Sequence, residues 1–278
     1  MMNDAVVEEP SLTYGSVTVP TRLLGCWYRR YIRFPDGTED TSTRVIWVQT
    51  LSGVGDIRVP ATRPDLRARS GLADCSKEEL LALAEQDCFC GVTLFNSKAK
   101  PFPTASWPKE SYLFRFQPVI TFPEPGWMEW LEGGTCMIER APSGAYVEDW
   151  RLQPASQAFG AHLTRRNAAA PTCLYVAGDH AILARNRSQA VPADKTLLEL
   201  ARESRCDEQC LRELLDCEFS YARRARSGGE YVIELSTFPW REGQPLDCPS
   251  VENLRPHALG SDGVVLDGQW SVQSFWRF

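Results

Sequence analysis

The chain has 278 residues, 43% of them hydrophobic and 24% charged, which suits one large or two small globular domains of ordinary soluble composition. A net charge of −6 without any basic cluster argues against nucleic acid as a partner. No run approaches the ~20 apolar residues of a membrane helix, and the acidic start MMNDAVVEEPSLTYG lacks the apolar core of a secretory signal. No membrane partner is therefore expected, and a cytoplasmic location is.

Strand patterns dominate the chain. The first are 26–34 (CWYRRYIRF), 43–50 (TRVIWVQT) and 54–59 (VGDIRV). A helix is predicted over 76–87, where Ser76 and Glu79 have the spacing of a capping box. Strands resume at 88–95, 111–122, 127–132, 135–140, 145–152, 158–164 and 172–185, the last folded as a hairpin at Gly178-Asp179. The leucines of 194–216 predict further helix, and strands follow at 230–238 and 269–277. Pro35-Asp36-Gly37, Gly133-Gly134, Pro142-Ser143-Gly144 and Gly228-Gly229 are turn signals between them. Short antiparallel strands with few helices mean a sandwich or a closed barrel, and about a dozen strands exceed one small barrel. The expected fold is mainly β: two packed antiparallel barrels with a few short helices, residues 1–134 and 135–278.

Alternation assigns faces. Trp27, Arg29, Tyr31 and Arg33 share one face; so do Val45, Trp47 and Gln49; so do Asp56 and Arg58; so do Tyr146, Glu148 and Trp150. Large aromatics beside polar groups on several strands suit a pocket for a partly apolar, partly polar small molecule. Arg58, with Arg63 in the following loop, could hold a carboxylate through bidentate hydrogen bonds. Glu148, half-buried beside Trp150, is the first candidate for a catalytic acid or base, with Asp56 the second. The competing reading places these charges in solvent, with Asp56 and Arg58 as a surface ion pair and the aromatics as plain core.

Ten cysteines include no C-x-x-C. Cys88 and Cys90 lie two apart, and Cys206, Cys210 and Cys217 fall at helical spacings. The histidines (His162, His180, His257) are too dispersed to complete a zinc site, so free thiols are expected and no metal. Nucleotide, phosphate, zincin and nucleophile-elbow motifs are missing. No cofactor is expected, which leaves ligand binding or cofactor-independent acid–base chemistry.

Gly25-Cys26-Trp27-Tyr28 opens the first strong strand and resembles the G-x-W signature of lipocalin-type barrels; the middle T-D-Y signature of that family is missing, so the likeness is to a wider calycin-like group. Segments such as CWYRRYIRFPDGTEDTSTRVIWVQT, FRFQPVITFPEPG, YVEDW and LLDCEFSYARRA are similar to uncharacterised, mostly bacterial, lipocalin-like proteins with a doubled barrel. The resemblance implies that Trp27 closes one barrel end, that an arginine (Arg115 or Arg140) lies over it, and that Arg29 points inward. Three functions follow as expectations. One is small-molecule binding by Arg29, Trp47, Gln49, Arg58, Arg63, Tyr146 and Trp150. The second is an isomerase, cyclase, lyase or dehydratase using Glu148 and Asp56 in the same pocket. The third is a non-catalytic scaffold whose barrels are filled by their own side chains. Nothing in the sequence requires a homodimer, although it is compatible with one.

Overall fold

A computed structural model describes residues 11–14, 17–156, 159–203, 206–225, 229–249 and 265–277. The elements in order are β1 (Ser11–Tyr14), β2 (Val17–Pro20), β3 (Gly25–Arg33), β4 (Glu39–Asp40), β5 (Arg44–Gln49), β6 (Val54–Val59), α1 (Lys77–Leu83), β7 (Asp87–Gly91), β8 (Leu94–Asn96), β9 (Thr104–Ser106) and β10 (Tyr112–Arg115). They continue with β11 (Gly126–Leu131), β12 (Cys136–Arg140), β13 (Val147–Leu152), β14 (Phe159–Arg165), β15 (Thr172–Ala177), β16 (His180–Arg185), α2 (Leu197–Ala201), α3 (Glu208–Leu215), β17 (Glu218–Arg224), β18 (Tyr231–Ser236), β19 (Val265–Leu266) and β20 (Trp270–Arg277). Short 3₁₀ turns fill several of the connections.

The protein is mainly β, with curled antiparallel sheets and three short α-helices among the described residues. The first sheet has eleven strands in the open order β10-β7-β6-β5-β3-β13-β12-β11-β9-β8, with β4 attached to β3, and it curls into a half-barrel. The second has seven, in the order β18-β17-β16-β15-β14-β20-β19, and β1 pairs with β2 apart from both. The chain passes from the first sheet to the second between Leu152 and Phe159, so β12 and β13 belong to the first.

Alternation explains how the halves pack. Outward residues of the half-barrel (Ile46, Val48, Ile57, Cys88, Cys90) meet Cys173, Tyr175, Ile182 and Phe219 of the second sheet in one buried cluster, which the helices extend with Leu80, Leu197 and Leu211. The β5–β6 hairpin comes very close to the second sheet. A Cβ on Gly53 would fall 2.6 Å from the Tyr175 ring and one on Gly55 2.9 Å from it, so only glycine permits this approach. The concave face of the half-barrel holds its own core of Trp27, Val45, Trp47, Phe89, Met137 and Trp150.

Four local readings change in the structure. The helix at Ser76 has its capping box, with Ser76 N donating to Glu79 Oε2 at 2.8 Å, but it ends at Leu83. The Gln117 side chain donates to the Ala84 and Gln86 carbonyls, and Asp87 opens a strand instead of closing a helix. The strand predicted over 111–122 stops at Arg115, because Pro118 has no N–H to offer a ladder and Gln117 serves the helix end. The helical reading of 194–216 resolves into two helices, capped by Thr196 and by Asp207. The fourth change is a bulge in β3. Trp150 pairs with Arg29 and Asp149 with Tyr31, which leaves Arg30 as the extra residue. The alternation flips there, so Trp27 and Arg29 face inward while Ile32, not Tyr31 or Arg33, is buried beyond the bulge. A strand that was not predicted, β17, completes the second sheet.

Candidate functional site

The concave face changes character along its length. In its middle the tryptophans pack edge to face, Trp47 against Trp107 at 5.2 Å and against Trp150 at 5.5 Å between ring centroids. Trp27 donates from its indole to the Leu23 carbonyl at 2.9 Å. At one end Gln49 accepts from Trp47 and from Thr93 (2.7 Å) and donates to the carbonyls of Thr50 and Gly53. Its amide is used up in holding the hairpin, which leaves it little to offer a ligand.

The other end is densely charged. Cross-strand register brings Asp56, Arg58, Asp87, Arg115, Glu139, Glu148 and Arg29 to one region, where Arg58, Asp87, Arg115, Glu139 and Glu148 line a cavity of about 60 Å³ together with Tyr112, Phe122 and Tyr146. Arg29 donates to Glu148 Oε1 at 2.8 Å and to the rim carboxylate Asp40 at 3.2 Å. Arg58 donates from Nε to Asp56 Oδ1 at 2.7 Å. A bulge at Leu113 turns both Tyr112 and Arg115 inward, and the Arg115 guanidinium lies 4.5 Å from the Tyr112 ring centroid. Glu139 stands directly opposite Glu148 in the β12–β13 pair, a like-charge pairing that a sheet disfavours. Its one described side-chain hydrogen bond comes from the Tyr146 hydroxyl, which donates to Oε1 at 3.0 Å. Gly126 on β11 makes the room, since a Cβ there would overlap the Glu139 carboxylate.

The titration of these groups follows from burial. Glu139, 3% exposed, is pushed up to about 8, first by desolvation and then by the charge of Glu148, against the Tyr146 hydrogen bond. Desolvation also raises Asp56 against Arg58, and Asp87 against Arg115 and Arg58. Arg58 is disfavoured by burial, but Asp56 and Glu148 outweigh that and hold its pKa above the ordinary value. Carboxyls outnumber guanidiniums in this region, which favours a proton on Glu139, the carboxyl whose pKa burial raises to about 8. Asp87 Oδ1, Arg29 Nε and Trp150 Nε1 are buried without a hydrogen-bond partner among the described residues.

The structure thus brings together Arg29, Trp47, Asp56, Arg58, Tyr146, Glu148 and Trp150. It places Gln49 at the far end of the concave face and Arg63 outside it, where Arg63 bridges to the second sheet through the Ser236 carbonyl (2.6 Å) and Glu242 (2.8 Å). Arg58 and Arg63 do not form a common fork for a carboxylate. Arg115 sits over Tyr112, and Arg140 pairs with Glu129. Sequence reasoning passed over Glu139, Asp87, Tyr112 and Trp107. Glu139 lies in a recognised strand, but its proximity to Glu148 depends on register, and Asp87 was hidden in an overlong helix. Between the sheets His162 stacks on Tyr175 at 4.6 Å and Ser52 Oγ lies 3.0 Å from its Nδ1, and hydrogen bonds from Cys90 and His162 lower the pKa of the Cys173 thiol against its burial. No group of three or more metal-ligating side chains occurs among the described residues, and none of their helices is long and apolar enough to cross a membrane.

No family model matches the chain, and no curated protein does. Among solved structures it is similar to the crystal structure of the uncharacterized protein YLR301w from Saccharomyces cerevisiae. That likeness has a TM-score of 0.53 at 12% identity and covers 90% of this chain and 98% of the yeast one. At that identity the two share a fold, and nothing about chemistry follows.

Proposed function

We propose that the protein binds a small molecule at the charged end of its first half-barrel, as a lipocalin-like carrier or sensor would, in the cytoplasm. The observation that supports this reading is the cavity lined by Asp87, Glu139, Glu148, Arg58 and Arg115, into which Asp87 brings a carboxylate oxygen with no hydrogen-bond partner among the described residues. Buried ion pairs give a fold little net stability, whereas an unmet carboxylate oxygen on a residue that lines a cavity suits a ligand or its hydrating waters. A volume of about 60 Å³ admits a polar group of a few atoms beside Tyr112, Phe122 and Trp107. Because Arg58 already serves Asp56, a hydroxyl or amine donor fits the site better than a carboxylate.

A thermal-shift screen of the whole protein against small alcohols, amines and aromatic compounds tests the reading, since binding to the folded state raises the melting temperature by mass action. A shift that disappears in a folded Asp87→Asn variant supports it; no shift across a broad library refutes it and favours a filled, non-catalytic scaffold. One observation supports the alternative of a cofactor-independent acid–base enzyme. Glu139, raised to about 8, has both Glu148 and Tyr146 as neighbours, the setting of a group that exchanges protons near neutral pH. Turnover of a bound compound that is lost in Glu139→Gln while binding persists would establish that alternative.

A further inference from the structure

Beyond Arg115 strand β10 ends, and the chain runs through Pro118, Val119 and Ile120 to form one wall of a cleft outside the half-barrel. The other wall is the segment that follows β16, from Asn186 to Ala193. The cleft has a volume of about 370 Å³, within the range of roughly 300–1,000 Å³ typical of ligand sites. None of its lining residues is acidic, while Lys109, Arg115 and Arg187 all line it.

Arg187 is the telling residue. Three arginines among the described residues are less than a tenth exposed: Arg29, Arg187 and Arg224. Arg29 has Glu148 at 2.8 Å and Arg224 has Asp179 at 3.0 Å. Arg187, 6% exposed, has no carboxylate within ion-pair distance among the described residues. It donates to the main-chain carbonyls of Arg115 (3.3 Å) and Phe116 (2.8 Å), and its Nε is buried with no partner. Desolvation lowers its pKa; Cys217 and Asp216 oppose that, but Asp216 is already paired with Arg185 at 2.7 Å. Arg115 adds two more buried donors without partners, Nε and Nη1. A buried guanidinium with carbonyl partners only leaves its positive charge unmatched, and an anion is what would match it.

We propose that this cleft is a binding site for a small organic anion. The carboxylate would approach the guanidiniums of Arg187 and Arg115, with Lys109 at the rim, and a hydrocarbon body would lie on Pro118, Ile120 and Val191. Guanidiniums suit carboxylates because their N–H groups are spaced to match the two oxygens. The site is separate from the proton-bearing cluster inside the half-barrel, although Tyr112, Arg115 and Ile120 border both.

Calorimetric titration of the full chain with phenylacetate, and with 2-phenylethanol as its neutral analogue, tests the assignment. Phenylacetate is expected to bind with a Kd of about 1 mM or tighter, and the alcohol about tenfold more weakly. Arg187→Gln should weaken phenylacetate about tenfold. Because Arg187 also ties down two carbonyls, Ala190→Glu provides a second variant; position 190 is exposed and lines the cleft, so it adds a repelling charge without disturbing the core. That variant should also bind about tenfold more weakly. The proposal is overturned if phenylacetate does not bind up to about 10 mM. It is equally overturned if the alcohol or Ala190→Glu binds as well as the wild-type pair, or if Glu139→Gln alone abolishes binding, which would place the ligand inside the half-barrel.

Discussion

Replacing Glu139 by glutamine keeps the shape of the side chain and removes its titration. In the folded protein Glu139 titrates near 8 instead of the ordinary 4.5, because burial and Glu148 disfavour its charge. The folded state therefore keeps a proton that the unfolded chain releases between those two values. The slope of stability with pH follows the protons bound unfolded minus those bound folded. It is negative here, so the Glu139 contribution is full below about pH 4.5 and is lost as the pH rises through about 8. At 1.36 kcal/mol per pKa unit the loss is on the order of a few kcal/mol. Urea denaturation of wild type and Glu139→Gln at intervals from pH 5 to pH 8.5 isolates the effect, since the difference cancels every group that does not interact with Glu139. The glutamine variant should gain on the wild type by that amount across the range. A difference that stays flat, or that turns against glutamine as the pH rises, would refute the claim that Glu139 is held protonated by burial.

Other outcomes follow from the same contacts. Gly126→Ala should cost about 1–3 kcal/mol in urea melts, because its Cβ displaces the Glu139 carboxylate; adding Glu139→Ala should recover part of that cost, a non-additivity a double-mutant cycle would read. Asp179→Ala in the second sheet leaves Arg224 buried and unpaired, so about 3–5 kcal/mol of stability should be lost. Burial alone would raise Asp179, but bonds from Ser156 and Arg224 prevail and lower its pKa. Its stabilisation should be present above about pH 4 and fade as the pH falls further, and the Asp179→Asn variant should lack that acid limb. Arg29→Leu should destabilise by about 3 kcal/mol through an unpaired Glu148, and Arg29→Leu with Glu148→Leu should restore most of the loss.

The sequence shows clearly whatever depends on near neighbours along the chain. Alternation in RVIWVQ separates Val45 and Trp47 from Ile46 and Val48, and the structure buries these pairs on opposite faces of the sheet. Ser76 and Glu79 cap a helix, and Gly178-Asp179 turns a hairpin, because each rests on contacts within a few residues. What stays hidden depends on pairing between distant strands. The bulge at Arg30 exists only relative to β13, so the sequence cannot show that the inward face changes parity there. The opposition of Glu139 and Glu148 is likewise a matter of register, and a shift of one residue would send one of them to the other face. Arg187 looks like any arginine after a strand until the neighbouring chain turns out to supply carbonyls and no carboxylate.

The charged end of the half-barrel is poorly explained by stability alone. A fold that needed only a filled interior would extend the Trp27, Trp47 and Trp150 core to the rim, since well-packed apolar side chains match or exceed buried ion pairs. Instead β6, β7, β12 and β13 each contribute an inward carboxyl, two of these stand opposite each other, and Gly126 gives up its side chain to make room. Each of those choices raises the energy of the folded state, and together they produce one carboxyl that holds a proton near neutral pH beside a small cavity. Strain of this kind, concentrated at one end of one sheet, is the pattern expected of a site kept for binding or proton exchange.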